Sequence, residues 1–249
     1  MSDVPVHRQK QLRYLAGMGV EVWERRVPVA AVSSARTTTE EPARFASMVP
    51  EERSAGAPGD DISGLGWDAL KARVETCRLC GLEQTRTRAV FGVGDPNADL
   101  VVIGEAPGAE EDRRGEPFVG RAGKLLDNML RALGYSRETV FITNILKSRP
   151  PGNRDPKADE VEACMPYLRR QIALIQPRVI LALGRVAAQN LLATGRPLRD
   201  LRAAPHEFSE SRIPMVVTYH PAYLLRSPAD KAKAWKDLRT VRSMLEQPA

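Results

Sequence analysis

Leu100-Val-Val-Ile-Gly-Glu-Ala-Pro-Gly108 is the stretch that decides the fold, because an apolar run of strand length passes directly into a turn rich in Gly and Pro. Three further apolar runs share this pattern, at 140–145, 179–183 and 215–218. Segments with helical spacing lie around them, near 68–80, 120–133, 158–175, 185–193 and 230–245. This alternation predicts an α/β fold, a three-layer α/β/α sandwich with a central four-stranded, mostly parallel sheet.

The chain divides into three zones by composition. Residues 65–249 carry the strand and helix patterns and are predicted to form the globular domain. Residues 28–64 are rich in small and polar residues with few large apolar groups, which predicts a disordered linker. Residues 1–27 are predicted to hold a docking-type helix or peptide, whose apolar side chains are Leu12, Leu15, Met18, Val20 and Trp23.

Charge and hydropathy restrict the class of protein. The chain carries a net charge of +6, and the positive excess lies in the globular part, which suits a polyanionic partner such as nucleic acid. No apolar stretch approaches the length of a membrane span, and the polar N-terminus does not have the pattern of a signal peptide. We therefore expect a cytoplasmic protein without membrane contact, and we expect it to be a monomer.

The loop after the first strand carries a carboxylate and an aromatic ring. Neither G-x-G-x-x-G nor G-K-[ST] follows the strand, so no nucleotide cofactor is expected. Glu105 is fixed at the strand end, where it can orient or deprotonate water. Phe118, between Pro and Gly neighbours, can stack on a flat base. The alternative is an ordinary Gly-rich turn that leads into a helix.

Two other strand ends carry polar side chains that can recognise a ligand. Asn144 offers an amide donor and acceptor, which suits reading a base edge, or it bonds nearby backbone. His220 enters the loop after the last strand, where it could instead be a capping or core histidine. The bulky residues that follow it could wedge into a base stack or pack on the next helix; they are Tyr223, Leu224, Leu225 and Arg226.

Three cysteines are present, Cys77, Cys80 and Cys164. An odd count in a chain predicted to be cytoplasmic argues against a disulfide framework. The Cys77-x-x-Cys80 spacing is typical of metal or cluster ligation.

Four motifs occur together in one order: G-E-A-P-G-x-x-E-D, G-x-P-F-V-G-R-A-G, T-N-I-L-K-x-R-P-P-G-N-R and H-P-A-Y-L-L-R. Together they resemble the family-four uracil-DNA glycosylases of bacteria and archaea, over roughly residues 70–245. The resemblance implies a monofunctional enzyme that excises uracil from single- or double-stranded DNA and leaves an abasic site. No Lys stands at a motif position where it would attack the sugar. The alternatives are a non-catalytic DNA-binding module and a glycosylase for another deaminated base.

The resemblance also implies roles for individual residues. Glu105 would position the attacking water, and His220 would hydrogen-bond a uracil carbonyl as negative charge develops. Glu111 matches a second acidic position of the family. The implied substrate-binding residues are Gly104, Ala106, Phe118, Asn144 and Asn153, and the implied DNA-intercalating loop is Tyr223, Leu224, Leu225 and Arg226.

Members of this family usually hold a [4Fe-4S] cluster with four cysteines. Cys77, Cys80 and Cys164 match three of these ligands, and Ser148 stands at the position of the fourth. Cluster irons prefer thiolates, so three interpretations stay open. Ser148 or solvent completes the cluster, a smaller cluster forms, or the thiols pack without metal. Structural zinc is a minor alternative, because it also normally takes four ligands.

The string L-A-G-M-G-V-E-V-W-E-R-R-V-P near the N-terminus is similar to the N-terminal peptide of the psi subunit of the bacterial clamp loader. That similarity implies contact with the replisome through residues 8–27. The alternative is a helix that packs back on the domain.

Overall fold

The computed structural model describes Ala16 and residues 61–247. The strands in this part of the chain are β1 (Val93–Gly94), β2 (Leu100–Gly104), β3 (Phe141–Asn144), β4 (Val179–Leu183), β5 (His206–Phe208) and β6 (Ile213–Thr218). The α-helices are α1 (Trp67–Glu75), α2 (Ala109–Arg114), α3 (Arg121–Leu133), α4 (Ala158–Ile175), α5 (Gly184–Leu191), α6 (Leu198–Arg202), α7 (Pro221–Arg226) and α8 (Lys231–Glu246). Three short 3₁₀ helices cover Leu82–Gln84, Pro151–Asn153 and Pro228–Asp230.

The strands form one sheet in the order β1-β3-β2-β4-β6-β5. The four inner strands run parallel, which confirms the mostly parallel sheet predicted from the sequence. The predicted number of four strands is wrong, because β1 and β5 add an antiparallel strand at each edge. These edge strands have two and three residues, too few to produce a recognisable periodic pattern.

Apolar side chains cover both faces of the sheet. Alternate residues of β2 face opposite sides, with Val101 and Ile103 in one core cluster and Leu100 and Val102 in the other. The first cluster includes buried residues of α1, α4 and α5, and the second includes those of α3 and α8. Inner strands buried on both faces explain why the sequence shows continuous apolar runs rather than alternation.

The five longer predicted helices are present within a few residues of their expected bounds. The short helices α2, α6 and α7 were not predicted, since each has only five or six residues. Ile62, assigned to the linker from composition, is buried in the first core cluster. The predicted docking segment and the rest of the predicted linker lie outside the described residues, apart from Ala16 and residues 61–64. None of the helices described is long and apolar enough to cross a membrane.

The carboxyl ends of the four parallel strands lie next to one another. Gly104, the last residue of β2, pairs with Asn144, the last residue of β3. Leu183 of β4 pairs with Thr218 of β6 at the same level. The loops that begin at these residues therefore meet, as expected for a site at the carboxyl ends of the strands.

Candidate active site

A cavity of about 510 Å³ opens at the carboxyl ends of the parallel strands. Most of the residues predicted from the sequence to form the site line it: Glu105, Ala106, Glu111, Phe118, Asn144, Asn153, His220, Tyr223 and Arg226. Gly104, Leu224 and Leu225 are not part of this lining. The cavity therefore gathers side chains from loops that follow three different strands.

Asn144 and Phe118 approach each other across Gly104. The Asn144 side chain is buried, and its amide oxygen Oδ1 has no hydrogen-bond partner within residues 61–247. A Cβ atom at Gly104 would lie 2.4 Å from this oxygen and 2.5 Å from Cζ of Phe118. Gly104 thus acts by leaving room for two side chains. A buried amide oxygen without a hydrogen-bond partner is costly. It therefore marks a place where a ligand can donate a hydrogen bond to Asn144.

The backbone of the Phe118 loop is held in an unusual conformation. Phe118 has a φ of 54°, which costs a non-glycine residue about 1–3 kcal/mol. Arg137 stabilises it by donating from Nη1 to the Phe118 carbonyl at 3.0 Å and from Nη2 to the Pro117 carbonyl at 2.6 Å. Asp127 accepts from the same guanidinium at 3.0 Å. A Cβ at Gly123 would lie 1.7 Å from the Phe118 carbonyl oxygen, so the loop also requires this glycine.

Glu111 organises the same loop. Its Oε2 accepts the Gly108 backbone N–H at 3.2 Å, and its Oε1 accepts those of Val119 and Gly120 at 3.0 and 3.2 Å. The sequence placed Glu111 among the catalytic groups. In the structure both carboxylate oxygens already bind backbone donors, so Glu111 shapes the wall of the cavity and holds the segment after Phe118.

Glu105 lies half-buried at the end of β2. Burial raises its pKa to about 7, and the negative charge of Asp155 adds to this increase while Arg185 opposes it. Asp155 and Arg185 form an ion pair at 2.7 Å. Glu105 therefore changes protonation state close to neutral pH, which suits a group that handles the protons of water.

His220 also lines the cavity, and the centroid of its ring lies 5.6 Å from that of the Phe118 ring. Its Nδ1 accepts the Ala222 backbone N–H at 3.2 Å, so Nε2 carries the proton of the neutral ring. Burial, followed by the positive charge of Arg226, lowers the pKa of His220 to about 4. A Cβ at Gly184, which has a φ of +88°, would lie 2.9 Å from Cβ of His220. His220 is thus a neutral N–H donor packed closely against the start of α5.

Asn153 lines the outer part of the cavity and is exposed. Its Oδ1 accepts from Nε of Arg149 at 2.8 Å. The neighbouring Arg154 pairs with Glu160 through both terminal nitrogens, at 2.8 and 2.5 Å. The loop after β3 is therefore held by side-chain bonds.

The segment predicted as an intercalating loop is a helix, α7. His220 caps it and Pro221 occupies its first position, which pre-sets the backbone for a helix. Leu224 is buried in the second core cluster, so its assignment to an exposed wedge is wrong in this structure. The Tyr223 ring stacks on Tyr219, and its hydroxyl donates to Asp230 at 2.6 Å. Leu225 and Arg226 are exposed.

The three cysteines and Ser148 occupy a region that does not line the cavity. Interaction with the Cys164 side chain lowers the pKa of the Cys80 thiol to about 6. The Ser148 hydroxyl is buried and accepts from Nη1 of Arg86 at 2.8 Å. In the described part of the chain, no group of three or more His, Cys, Asp or Glu side chains is arranged to hold a metal ion. Where a [4Fe-4S] cluster with four cysteine ligands would need a fourth thiolate, this chain has the Ser148 hydroxyl, which is already bound by Arg86.

Comparison with known proteins adds a family to this geometry. The sequence profile described as the uracil DNA glycosylase superfamily matches residues 91–239. The type-4 uracil-DNA glycosylase of Sulfurisphaera tokodaii is 41% identical over 188 residues, covering 73% of this chain and 86% of the relative. The enzyme of the same name from Archaeoglobus fulgidus is 43% identical over 180 residues, covering 70% and 90%. That from Pyrobaculum aerophilum is 45% identical over 175 residues, covering 68% and 89%.

Proposed function

This chain belongs to the uracil DNA glycosylase superfamily, and from that premise we propose that it hydrolyses the bond between uracil and deoxyribose in DNA. The product is an abasic site, as in the first step of base excision repair. The observation that carries the proposal is the buried amide of Asn144, whose oxygen lies beside the Phe118 ring and has no partner in the described part of the chain.

Recognition requires the base to leave the duplex, because an enzyme cannot reach the glycosidic bond of a stacked base. In the cavity Phe118 stacks on the flipped ring, and the Asn144 amide faces its polar edge. Its oxygen accepts the N3–H of uracil, and its nitrogen donates to O4. Cytosine presents the opposite pattern and leaves buried groups unpaired, which is a strong basis for rejection.

The chemistry uses His220 and Glu105, which both line the cavity. The bond from C1′ to N1 breaks, and its electron pair moves onto the base. The Nε2–H of His220 donates to a uracil carbonyl as this negative charge develops. Glu105, when ionised, favours the cationic sugar and takes a proton from the water whose oxygen binds C1′. The departing uracil anion then takes up a proton.

The position of the motif lysine supports an enzyme that does not cut the strand. The motif residue Lys147 is fully buried, and its Nζ donates to three oxygens. No lysine is among the described residues that line the cavity.

The test uses a labelled single-stranded oligonucleotide with one uracil, incubated with the protein and then divided with and without alkali. Cleavage only after alkali is the expected result. Glu105→Gln should lower the single-turnover rate by about 100-fold or more. Asn144→Asp should relax the preference for uracil over cytosine or abolish activity. Full rate and unchanged preference in Asn144→Asp would contradict this recognition. A parallel oligonucleotide with hypoxanthine reads out action on another deaminated base.

The [4Fe-4S] cluster stays a prediction from the sequence. The match of Cys77, Cys80 and Cys164 to three of the family's ligand positions supports it, and the bond from Arg86 to Ser148 opposes a fourth ligand there. We derive no catalytic step through it. Anaerobic purification with iron and sulfide analysis tests it, and a colourless, iron-free, fully active protein would end it.

We also propose that residues 8–27 dock on the clamp loader of the replisome. The support is the sequence similarity of this segment, which lies outside the described residues apart from Ala16. A pull-down with clamp loader should retain the full chain and lose a chain without residues 1–30. Equal retention of both would reject the proposal.

A further inference from the structure

We propose that Lys147 is a positioning residue for Asn144, holding the base-reading amide through a buried network. This inference rests on the proposed function, since it concerns how the uracil-reading side chain is oriented. Lys147 does not line the cavity and does not reach the substrate.

The network surrounds the lysine nitrogen with oxygen. Nζ of Lys147 donates to the Asn144 main-chain carbonyl at 2.8 Å, to Oγ1 of Thr143 at 2.7 Å and to Oε1 of Gln171 at 2.7 Å. Three acceptors match the three donors of an ammonium group. The lysine nitrogen is buried, so its donors depend on these three oxygens to replace the hydrogen bonds of water.

The acceptors are themselves anchored. The Thr143 hydroxyl and the Gln171 amide both donate to the Phe91 carbonyl, each at 2.9 Å. Gln171 lies on α4, so the network ties the end of β3 to a helix and to the segment before β1. The Lys147 carbonyl accepts the Val90 backbone N–H at 2.8 Å, which fixes the lysine from its other side.

This arrangement places the only fully buried lysine among residues 61–247 directly behind the residue whose amide faces the cavity. Asn144 ends β3, and the chain turns away immediately after it. Lys147 lies three residues after Asn144, and the hydrogen bond from its Nζ to the Asn144 carbonyl closes that turn. Because a buried charge is costly, apolar packing would be a simpler way to fill the space. The network instead constrains the backbone from which the Asn144 amide projects.

The test compares Lys147→Met, which keeps the length of the side chain and removes its donors, with the wild type. Free uracil binding is measured by calorimetry, so the comparison does not depend on turnover. We expect about tenfold or greater weakening of uracil binding, because buried acceptors lose their donor and the amide is released. In the oligonucleotide assay, kcat should fall while KM for DNA stays near the wild-type value.

Leu245→Ala is the control for stability alone, since it removes buried methyl groups at the far end of α8. It should lower Tm without changing uracil binding. Thr143→Val and Thr143→Ser provide a milder pair. The valine should weaken uracil binding, and the serine, which keeps the hydroxyl, should restore it.

Unchanged uracil binding and kcat in both Lys147→Met and Thr143→Val would overturn the positioning role. If Lys147→Met does not fold, the Thr143 pair decides. A wild-type protein that binds uracil but leaves the oligonucleotide intact would reject the proposed function, while the binding comparison still decides the role of Lys147.

Discussion

Nδ1 of His220 accepts the backbone N–H of Ala222 at 3.2 Å, at the point where β6 passes into α7. The bond leaves the ring proton on Nε2, so the neutral imidazole is a donor to the cavity. Burial and Arg226 keep its pKa at about 4, and the ring stays neutral throughout the physiological range. His220 therefore does not need to be protonated to stabilise a leaving base, and Glu105 is the group that titrates near neutrality.

The first prediction concerns the pH dependence of kcat/KM. Because the raised pKa of Glu105 is about 7, its ionised form is present above that pH and lost below it. Activity should rise through pH 7 on the acid side, and this limb should follow the ionisation of Glu105. Asp155→Asn removes a negative charge that raises this pKa, so the acid limb should move to lower pH. Values of kcat/KM measured from pH 5 to about 9 test it.

Arg185→Gln is the matched control, because Arg185 lowers the pKa of Glu105. Its acid limb should move the opposite way, to higher pH. Limbs that coincide in wild type, Asp155→Asn and Arg185→Gln would show that another group controls the rate.

Most of the site residues predicted from the sequence line one cavity, but the sequence does not reveal the residues that support them. Glu105, Asn144 and His220 each follow an apolar run, and parallel strands bring such positions to one edge. Arg137 could not be found in this way, since its partners lie 19 and 20 residues earlier and no motif includes it. The motif around Glu111 identified an acidic side chain, but it did not show that the carboxylate binds backbone N–H groups of the neighbouring loop. Pro221 after a capping histidine was a helix signal, and it could have corrected the loop prediction.

Gly104→Ala should abolish most activity. Its Cβ would lie within 2.5 Å of both Asn144 Oδ1 and Phe118 Cζ, so one of the two must move. We expect a loss of about 100-fold or more in kcat/KM, with a stability cost of about 1–3 kcal/mol from overpacking. Gly195→Ala, where nothing lies within 4 Å of the added atom, should behave as the wild type. Equal kcat/KM in the two variants would contradict this packing.

Arg137→Met should weaken substrate use through the Phe118 loop. The change removes donors to two carbonyls that hold Phe118 at a φ of 54°. We expect kcat/KM to fall about 10- to 100-fold, since loss of preorganised geometry costs rate. The kcat/KM of Arg137→Lys should lie between that of the wild type and that of Arg137→Met, because an ammonium does not have the fork geometry of a guanidinium. Arg131→Met, on the exposed side of α3, is the control, and a loss of the same size there would reject the role of Arg137.

Ser148→Cys should increase the iron and sulfide content of the protein purified without oxygen. A thiolate at this position would complete the ligand set that the family resemblance implies for Cys77, Cys80 and Cys164, and cluster irons prefer thiolates. The variant should approach about four irons per chain with matching sulfide. Its Tm should rise, because a group that binds the folded state stabilises it. Uracil excision should change little, since none of the cysteines lines the cavity.

Ser148→Ala removes the hydroxyl bound by Arg86 without adding a ligand, so it separates the loss of that bond from the gain of a thiolate. If Ser148→Cys holds no more iron than Ser148→Ala, the three cysteines are not arranged for a cluster. The native protein then has the hydrogen bond from Arg86 to Ser148 at this place and no cluster.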